Sequence, residues 1–485
     1  MSPVATSHTN GSTDAATDIQ AIKATAGGLK PTAILSRTPW QPPIARSGHG
    51  IYIELQDGRT VIDAVGGAAV ACIGNGHPTV VKAIKEQVDK VSYVYNMQLS
   101  NEPAEELARY LVDSGKGAFA SCGFVSGGSE AMEAVIKLAR QYFYETKQPQ
   151  RTNFIARQLS FHGNTLGTLA LAHHPARRGP YEPNLNHESF HHVSPAFAKR
   201  FKKPEESEEA YVERLRQELE DKFQELGPDT VIGFVAETVV GATTGVVPAP
   251  KGYFKAMKSV CDKYGALFIL DEVMSGMGRM GSLHAWETFG DGIAPDIQAV
   301  AKGLGGGYAS IGAVLMSQKI ADGIRDQNGF WKHGHTYQAH PIACAASLAV
   351  QKVIVEENLL SSCQKQGEKL SKLLNERLLS PNSPAAPFTF DIRGGGLFWG
   401  IEFDFTGPEA VAYDFKGKQF GGLVQAKAMS KNLVIIGMSG CANVEGTKGD
   451  HCILAPAYNV TDEEVEKIVG IFVESVEEVL SEYRI

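Results

Sequence analysis

Through the middle of the chain, short runs of consecutive apolar residues alternate with longer stretches in which apolar residues recur every three or four positions. The first pattern is that of a strand buried on both faces, the second that of a helix with one apolar stripe. The segments 230-TVIGFVAET-238, 266-ALFILDEV-273 and 311-IGAVLMS-317 therefore read as strands. Between the first two, Phe254, Met257, Cys261 and Tyr264 fall on one helical face, and Gly265 suits a C-terminal cap. Strand–helix–strand alternation implies right-handed crossovers and a mainly parallel sheet.

The flanks are patterned differently. The stretch 51-IYIELQDGRTVIDAV-65 reads as a β-hairpin turning at Asp57-Gly58. The charged segment 204–227 carries Val212, Leu215, Leu219, Phe223 and Leu226 on one stripe, which is a surface helix with a solvated face. Near the end, Thr461 and Glu464 form a capping box ahead of a stripe made by Val465, Ile468, Phe472, Val476 and Val479. The expected organisation is a flexible N-terminal tail over 1–30, then a segment 31–90 that joins a small domain. A large α/β domain follows over 91–346, and a small α+β domain over 347–485 contains the proline-rich loop 381-PNSPAAP-387.

Composition narrows the class. A chain of 485 residues exceeds one small core. Its formal net charge of -8, with no dense Lys/Arg cluster, argues against a nucleic-acid surface. No apolar run approaches the roughly 20 residues that span a bilayer. The seven cysteines are scattered and form no C-x-x-C pair, so neither a zinc site nor a disulfide framework is expected, and a reducing, cytoplasmic location is the simplest fit. Residues 1–30 lack both an apolar core and arginine, and so match neither a secretory signal nor a mitochondrial presequence.

Candidate chemistry gathers at strand ends. The strand at 266–270 stops in Asp271 and Glu272, and ligands of open α/β sheets bind beyond the carboxyl ends of the strands. Lys302 follows a short apolar strand in 295-PDIQAVAKGLGGG-307; taken alone it also fits a loop lysine, and the glycines after it fail the dinucleotide fingerprint. In 124-FVSGGSEAMEAVIKLAR-140 a strand runs through Ser126-Gly127-Gly128-Ser129 into a helix, a natural phosphate site, although Ser129 fits a plain N-cap equally well. The histidines of 333-HGHTYQAHP-341 match no standard zinc spacing, and no metal is expected there.

A lysine for a Schiff base, an aspartate for a pyridinium nitrogen and a helix N-terminus for a phosphate are together what pyridoxal 5′-phosphate requires. On the block ILDEV-x2-G-x-G-R followed by PDI-x3-AKG-x-GGG, the chain resembles the class III aminotransferases from about Pro39 to its C-terminus. The resemblance implies the fold type I architecture: a three-layer αβα large domain with a mainly parallel sheet, plus a smaller α+β domain. It implies Lys302 as the Schiff-base lysine and Asp271 as the partner of the ring nitrogen. Val273 would pack behind the ring, Gly128 and Ser129 would hold the phosphate, and Phe161 would stack on the ring, with His162 and Gly163 completing its motif. Glu237 would be the acidic neighbour of Asp271. Thr336 would reach the phosphate of a neighbouring subunit in a homodimer, and Arg393 would bind a substrate carboxylate.

The implied activity is amino-group transfer from an amine or ω-amino acid to a 2-oxo acid, pyruvate or 2-oxoglutarate. Relatives that decarboxylate dialkylglycines or act as aminomutases share these motifs, and a non-catalytic phosphate-binding protein is the alternative from another class. Three departures bear on the substrate. Ala242, in 241-GATTG-245, stands near the position where many ω-amino-acid members carry a glutamate that neutralises the carboxylate-binding arginine, leaving Arg393 without that gate. Met274 replaces a frequent glutamine, and 66-GGAAVAC-72 offers small residues where several amine transaminases place a tryptophan.

Overall fold

The computed structural model describes residues 32–485, so the tail expected over 1–30 lies outside the described residues. Seven strands form the central sheet: β1 (Ser121–Val125), β2 (Asn153–Arg157), β3 (Phe190–Val193), β4 (Val231–Glu237), β5 (Leu267–Asp271), β6 (Ile297–Val300) and β7 (Gly312–Met316). Their order is β1-β7-β6-β5-β4-β2-β3. Only β7 runs against its neighbours; β2 to β6 pair in parallel. The connection between β6 and β7 holds no more than a single 3-10 turn, Lys302–Leu304, and a parallel return needs a helical crossover.

The alternation of side chains along β4 and β5 builds the layers. Val235, Leu267 and Ile269 pack with Ala131, Val135 and Leu138 of helix α1 (Gly128–Glu145). Phe234, Phe268 and Leu270 pack on the opposite side with Leu215, Leu219, Phe223, Phe254 and Met257. Those last residues come from the two expected helices, Glu208–Leu226 and Tyr253–Tyr264, the second ended by Gly265 in the left-handed conformation. The result is helix, sheet, helix, as the buried apolar runs require.

The expected hairpin is present as Tyr52–Leu55 against Thr60–Asp63. The latter strand also pairs in parallel with Leu433–Val434. A separate antiparallel sheet is made by Thr389–Gly395, Phe398–Phe403, Asp450–Leu454 and Ile436–Ser439. Ile51 and Ile62 share one apolar cluster with Leu374, Phe403, Val465, Phe472 and Val476, so the hairpin packs with the C-terminal part of the chain. The capping box at Thr461 and Glu464 starts the helix Asp462–Glu482. Among the described residues no helix is long and apolar enough to cross a membrane.

Candidate active site

The period-two logic that layers the sheet also aims its last side chains. Asp271 follows Leu267 and Ile269 onto the α1 side, and its register partner across the β4–β5 pair is Glu237. Both carboxylates line a cavity of about 560 Å³ at the carboxyl ends of the parallel strands. Gly128, Ser129, Phe161, His162, Gly163, Val273 and Lys302 line the same cavity. Residues spread over 174 positions of sequence are thus brought to one place.

Asp271 is held from two directions. Its Oδ2 lies 2.8 Å from His162 Nδ1, and its Oδ1 accepts from the Val273 N–H at 2.9 Å. The other ring nitrogen of His162 is buried without a hydrogen-bond partner. Glu237 accepts from the N–H of Phe161 at 2.9 Å and of Gly241 at 3.0 Å. Burial raises its pKa; His162 opposes that effect, and the nearby Asp271 adds to it.

Lys302 sits two residues beyond β6 in a left-handed conformation, with φ of 43°. Such a backbone is costly for any residue but glycine and persists only when its surroundings fix it. Its carbonyl accepts from the N–H groups of Gly305 at 3.1 Å and Gly306 at 2.9 Å. Gln351 donates to the carbonyls of Gly303 and Leu304, both at 3.0 Å, so the turn is clamped to the helix Pro341–Glu356. Burial lowers the lysine pKa to about 8, against Asp271 and Glu237, which favour the ammonium.

At the head of α1 the sequence expectation needs one correction. Ser129 is not the N-cap: the helix begins at Gly128, Gly127 is the cap residue, and no side chain caps it. The Ser126 N–H is instead taken by Glu130 Oε2 at 2.7 Å, which lets the helix start earlier. The Ser129 hydroxyl accepts from the Asn164 N–H at 3.0 Å, tying the helix start to the 160–165 loop. A Cβ on Gly128 would stand 2.7 Å from Val273 Cγ1, so helix start and ring wall fit only with glycine there. An amine poised near neutrality, a carboxylate on a buried imidazole, apolar walls from Phe161 and Val273, and a glycine-lined helix N-terminus fit pyridoxal phosphate.

Thr336, expected to serve a neighbouring subunit, and Arg393, expected at a substrate carboxylate, both lie outside the lining of this chain's own cavity. Thr336 is on an exposed turn outside the cavity, its carbonyl accepting from the Tyr93 hydroxyl at 2.9 Å. Arg393 also stays outside the cavity lining, and it does not lack a carboxylate. Its Nη1 meets Glu402 Oε2 at 2.5 Å, its Nη2 donates to the Thr244 carbonyl, and its guanidinium lies 4.6 Å from the centre of the Phe197 ring. Glu402 is fully buried and also pairs with Arg200. This partner was not legible in the chain, because Glu402 lies nine positions away on the adjoining strand, Phe398–Phe403.

Conversely, Arg37 and Arg177 line the cavity without having been expected there. Arg177 lies 4.6 Å from the centre of the Phe161 ring. It occupies the short helix Pro175–Arg178, too brief to show a period, and Arg37 lies in irregular backbone. The substitutions at Ala68, Ala242 and Met274 all border the cavity, as their departure from the family pattern implied.

Such a cavity on such a sheet defines a pyridoxal-phosphate enzyme of fold type I. The family model for class III aminotransferases matches residues 37–476. An aminotransferase of Gibberella zeae is 44% identical over 429 residues, covering 87% of this chain and 82% of that protein. Gamma aminobutyrate transaminase 3 of Solanum lycopersicum, a chloroplastic protein, is 31% identical, covering 94% and 84% respectively. The omega transaminase of Pseudomonas jessenii in complex with PMP superposes with a TM-score of 0.83 at 28% identity, covering 97% of this chain and 99% of that one. The chain belongs to the class III aminotransferases and is a pyridoxal-phosphate-dependent transaminase.

Proposed function

We propose that the enzyme moves an amino group from an amine or ω-amino acid to a 2-oxo acid such as pyruvate or 2-oxoglutarate, with Lys302 as the residue that attaches the cofactor and carries the proton. The observation that carries this assignment is the meeting of Lys302, Asp271 and the head of α1 in one cavity. The gamma aminobutyrate and omega transaminases among its relatives support the donor class.

Pyridoxal phosphate, when bound, supplies the carbonyl that takes the donor's nitrogen and the ring that accepts the electron pair left on the carbon bearing that nitrogen. The residues of the chain do the rest. Asp271, steadied by His162, holds a proton on the ring nitrogen. Gly128 and Ser129 receive the phosphate at the N-terminus of α1. Phe161 and Val273 bound the ring and keep water from it, and Gly163 leaves room for the loop to close on Ser129. Glu237 fixes the 160–165 loop through the Phe161 N–H. Lys302 Nζ takes the proton from the donor carbon that bears the nitrogen and, in the second half-reaction, returns one to the former carbonyl carbon of the 2-oxo acid. A pKa of about 8 leaves part of the amine neutral at physiological pH, as a base requires.

A homodimer accompanies this proposal. Tyr93, Tyr95, Met97, Leu99 and Tyr337 are exposed, Met97 by 78% and Tyr337 by 61%. Tyr93 and Tyr337 pack at 5.8 Å beside Thr336, which supports a second copy covering this strip and receiving Thr336 at its own phosphate site. Sedimentation should give twice the chain mass, and Met97→Glu should shift the enzyme towards monomer.

The direct test is the visible spectrum of the purified enzyme with pyridoxal phosphate. The lysine-linked band should form, and amine donors added without an acceptor should bleach it. A persistent band accompanied by carbon dioxide would mark a decarboxylase, and a folded protein with no band would end the assignment of Lys302.

A further inference from the structure

Arginines surround the cavity, and nearly all are spoken for. Arg393 has Glu402, Arg178 has Glu182 and the Ala172 carbonyl, and Arg279 donates to the carbonyls of Leu397 and Pro456. Arg157 donates to the carbonyl of Glu237. Arg177 and Arg37 differ: among the described residues neither has a hydrogen-bond acceptor or a carboxylate, yet both line the cavity. The one contact of the Arg177 guanidinium is the face of Phe161. A partly buried cation with a like charge beside it is a site for an anion.

The segment that carries Arg177 is fixed. Arg178 ties it to Glu182 and to the Ala172 carbonyl, and the His174 ring packs edge-on to Phe161 at 6.1 Å. On the other side, Pro175 packs against Gly446. Burial, and then the charge of Arg37, lower the pKa of Arg177, so an incoming carboxylate would relieve both strains at once. Ala68, Val70, Ala242, Met274 and Ile311 give the cavity apolar wall, which suits a hydrocarbon stretch.

Resting on the transaminase assignment above, we propose that Arg177, assisted by Arg37, anchors the carboxylate of the amino donor, and that the preferred donor is an ω-amino acid with an aliphatic body. Arg393 serves the architecture instead. The guanidinium fork matches a carboxylate in two parallel hydrogen bonds, and the Phe161 face keeps it flat and dry.

The test uses the holoenzyme in its first half-reaction alone, so that no acceptor carboxylate intrudes. The bleaching of the lysine-linked band is followed with 5-aminopentanoate and with pentylamine, its counterpart without the carboxylate. The enzyme should favour 5-aminopentanoate, and Arg177→Gln should cut that preference roughly 10- to 100-fold, through apparent affinity rather than limiting rate. Arg177→Lys, which keeps the charge but loses the fork, should fall between them and covers the case of a poorly folded glutamine variant. Equal losses for both donors would overturn the anchor. So would weakened pyridoxal phosphate binding at unchanged preference, since it would assign Arg177 to the phosphate. A wild-type holoenzyme that binds the cofactor but reacts with neither donor would remove the ω-amino-acid and amine donor class proposed above, and the anchor with it.

Discussion

Asp271 and Glu272 are consecutive in the chain and serve opposite sides of the sheet. Asp271 meets His162 at 2.8 Å in the cavity. Glu272 turns away and collects four donors: the Thr238 hydroxyl at 2.8 Å, the N–H groups of Ala285 at 2.8 Å and Trp286 at 2.7 Å, and Gln298 Nε2 at 2.9 Å. One carboxylate is chemistry and the other holds the turn Ala285–Phe289 to the sheet.

Isosteric amides should separate the two. Asp271→Asn should leave the fold intact and cripple the half-reaction. Glu272→Gln should keep the cofactor and lose about 1–3 kcal/mol of stability, since its NH2 would face a donor. Burial raises the Glu272 pKa to about 7 despite the donors, above its ordinary value near ~4.3. A raised folded-state pKa means that its stability contribution is full below ~4.3 and lost as pH rises through about 7. Denaturant midpoints measured from pH 4.5 to 8 should show that decline in the wild type and less of it in Glu272→Gln.

Lys302 gives a kinetic counterpart. Attachment of pyridoxal phosphate needs the neutral amine, so its rate on apoenzyme should climb with pH and level off above about 8. Asp271 favours the ammonium, so Asp271→Asn should move that midpoint downward. Stopped-flow absorbance across pH 6–10 measures both. A midpoint near the ordinary lysine value, ~10.4, would contradict the burial that the structure gives the amine.

Gly128 tests the seam between ring wall and phosphate site. Gly128→Ala sets a Cβ 2.7 Å from Val273 Cγ1, an overpacking worth about 1–3 kcal/mol. Cofactor affinity should fall on the order of tenfold or more, and Val273→Ala added to it should restore part of the loss. Titration of the apoenzyme with pyridoxal phosphate reads both values.

Arg393 and Glu402 form a buried pair to which Arg200 also contributes. Arg393→Gln should cost about 3 kcal/mol of stability, the lower end for breaking a buried pair because Arg200 remains. The ratio of rates for donors with and without a carboxylate should hardly move. A selective loss of acidic donors in that variant would return the carboxylate site to Arg393.

How much of this was legible beforehand depended on whether a residue's role was local. Asp271 ends an apolar run, and a strand end in a parallel sheet has a known direction, so it could be placed from the chain alone, whereas Glu237 was placed by the resemblance. Lys302 could be placed by its spacing within a block, though not its left-handed backbone, which depends on Gln351 some 49 positions later. Ser129 read as a cap because the hydroxyl is suited to one; the Glu130 side chain reaching back to Ser126 displaced it. Arg177 had no signal at all. It sits in one turn of helix, and its meaning comes from Phe161, sixteen residues earlier, and from the lack of an acceptor among the described residues.

The left-handed backbone at Lys302 sets the interests of the chain against those of its chemistry. Glycine would relax that turn, and each generation of mutation offers it; only turnover argues for a lysine. A duplicated copy released from catalysis should therefore drift to glycine or asparagine at 302 and become sturdier for it. Among relatives of this chain, the residue at that one position would tell a working enzyme from a retired one before any assay is run.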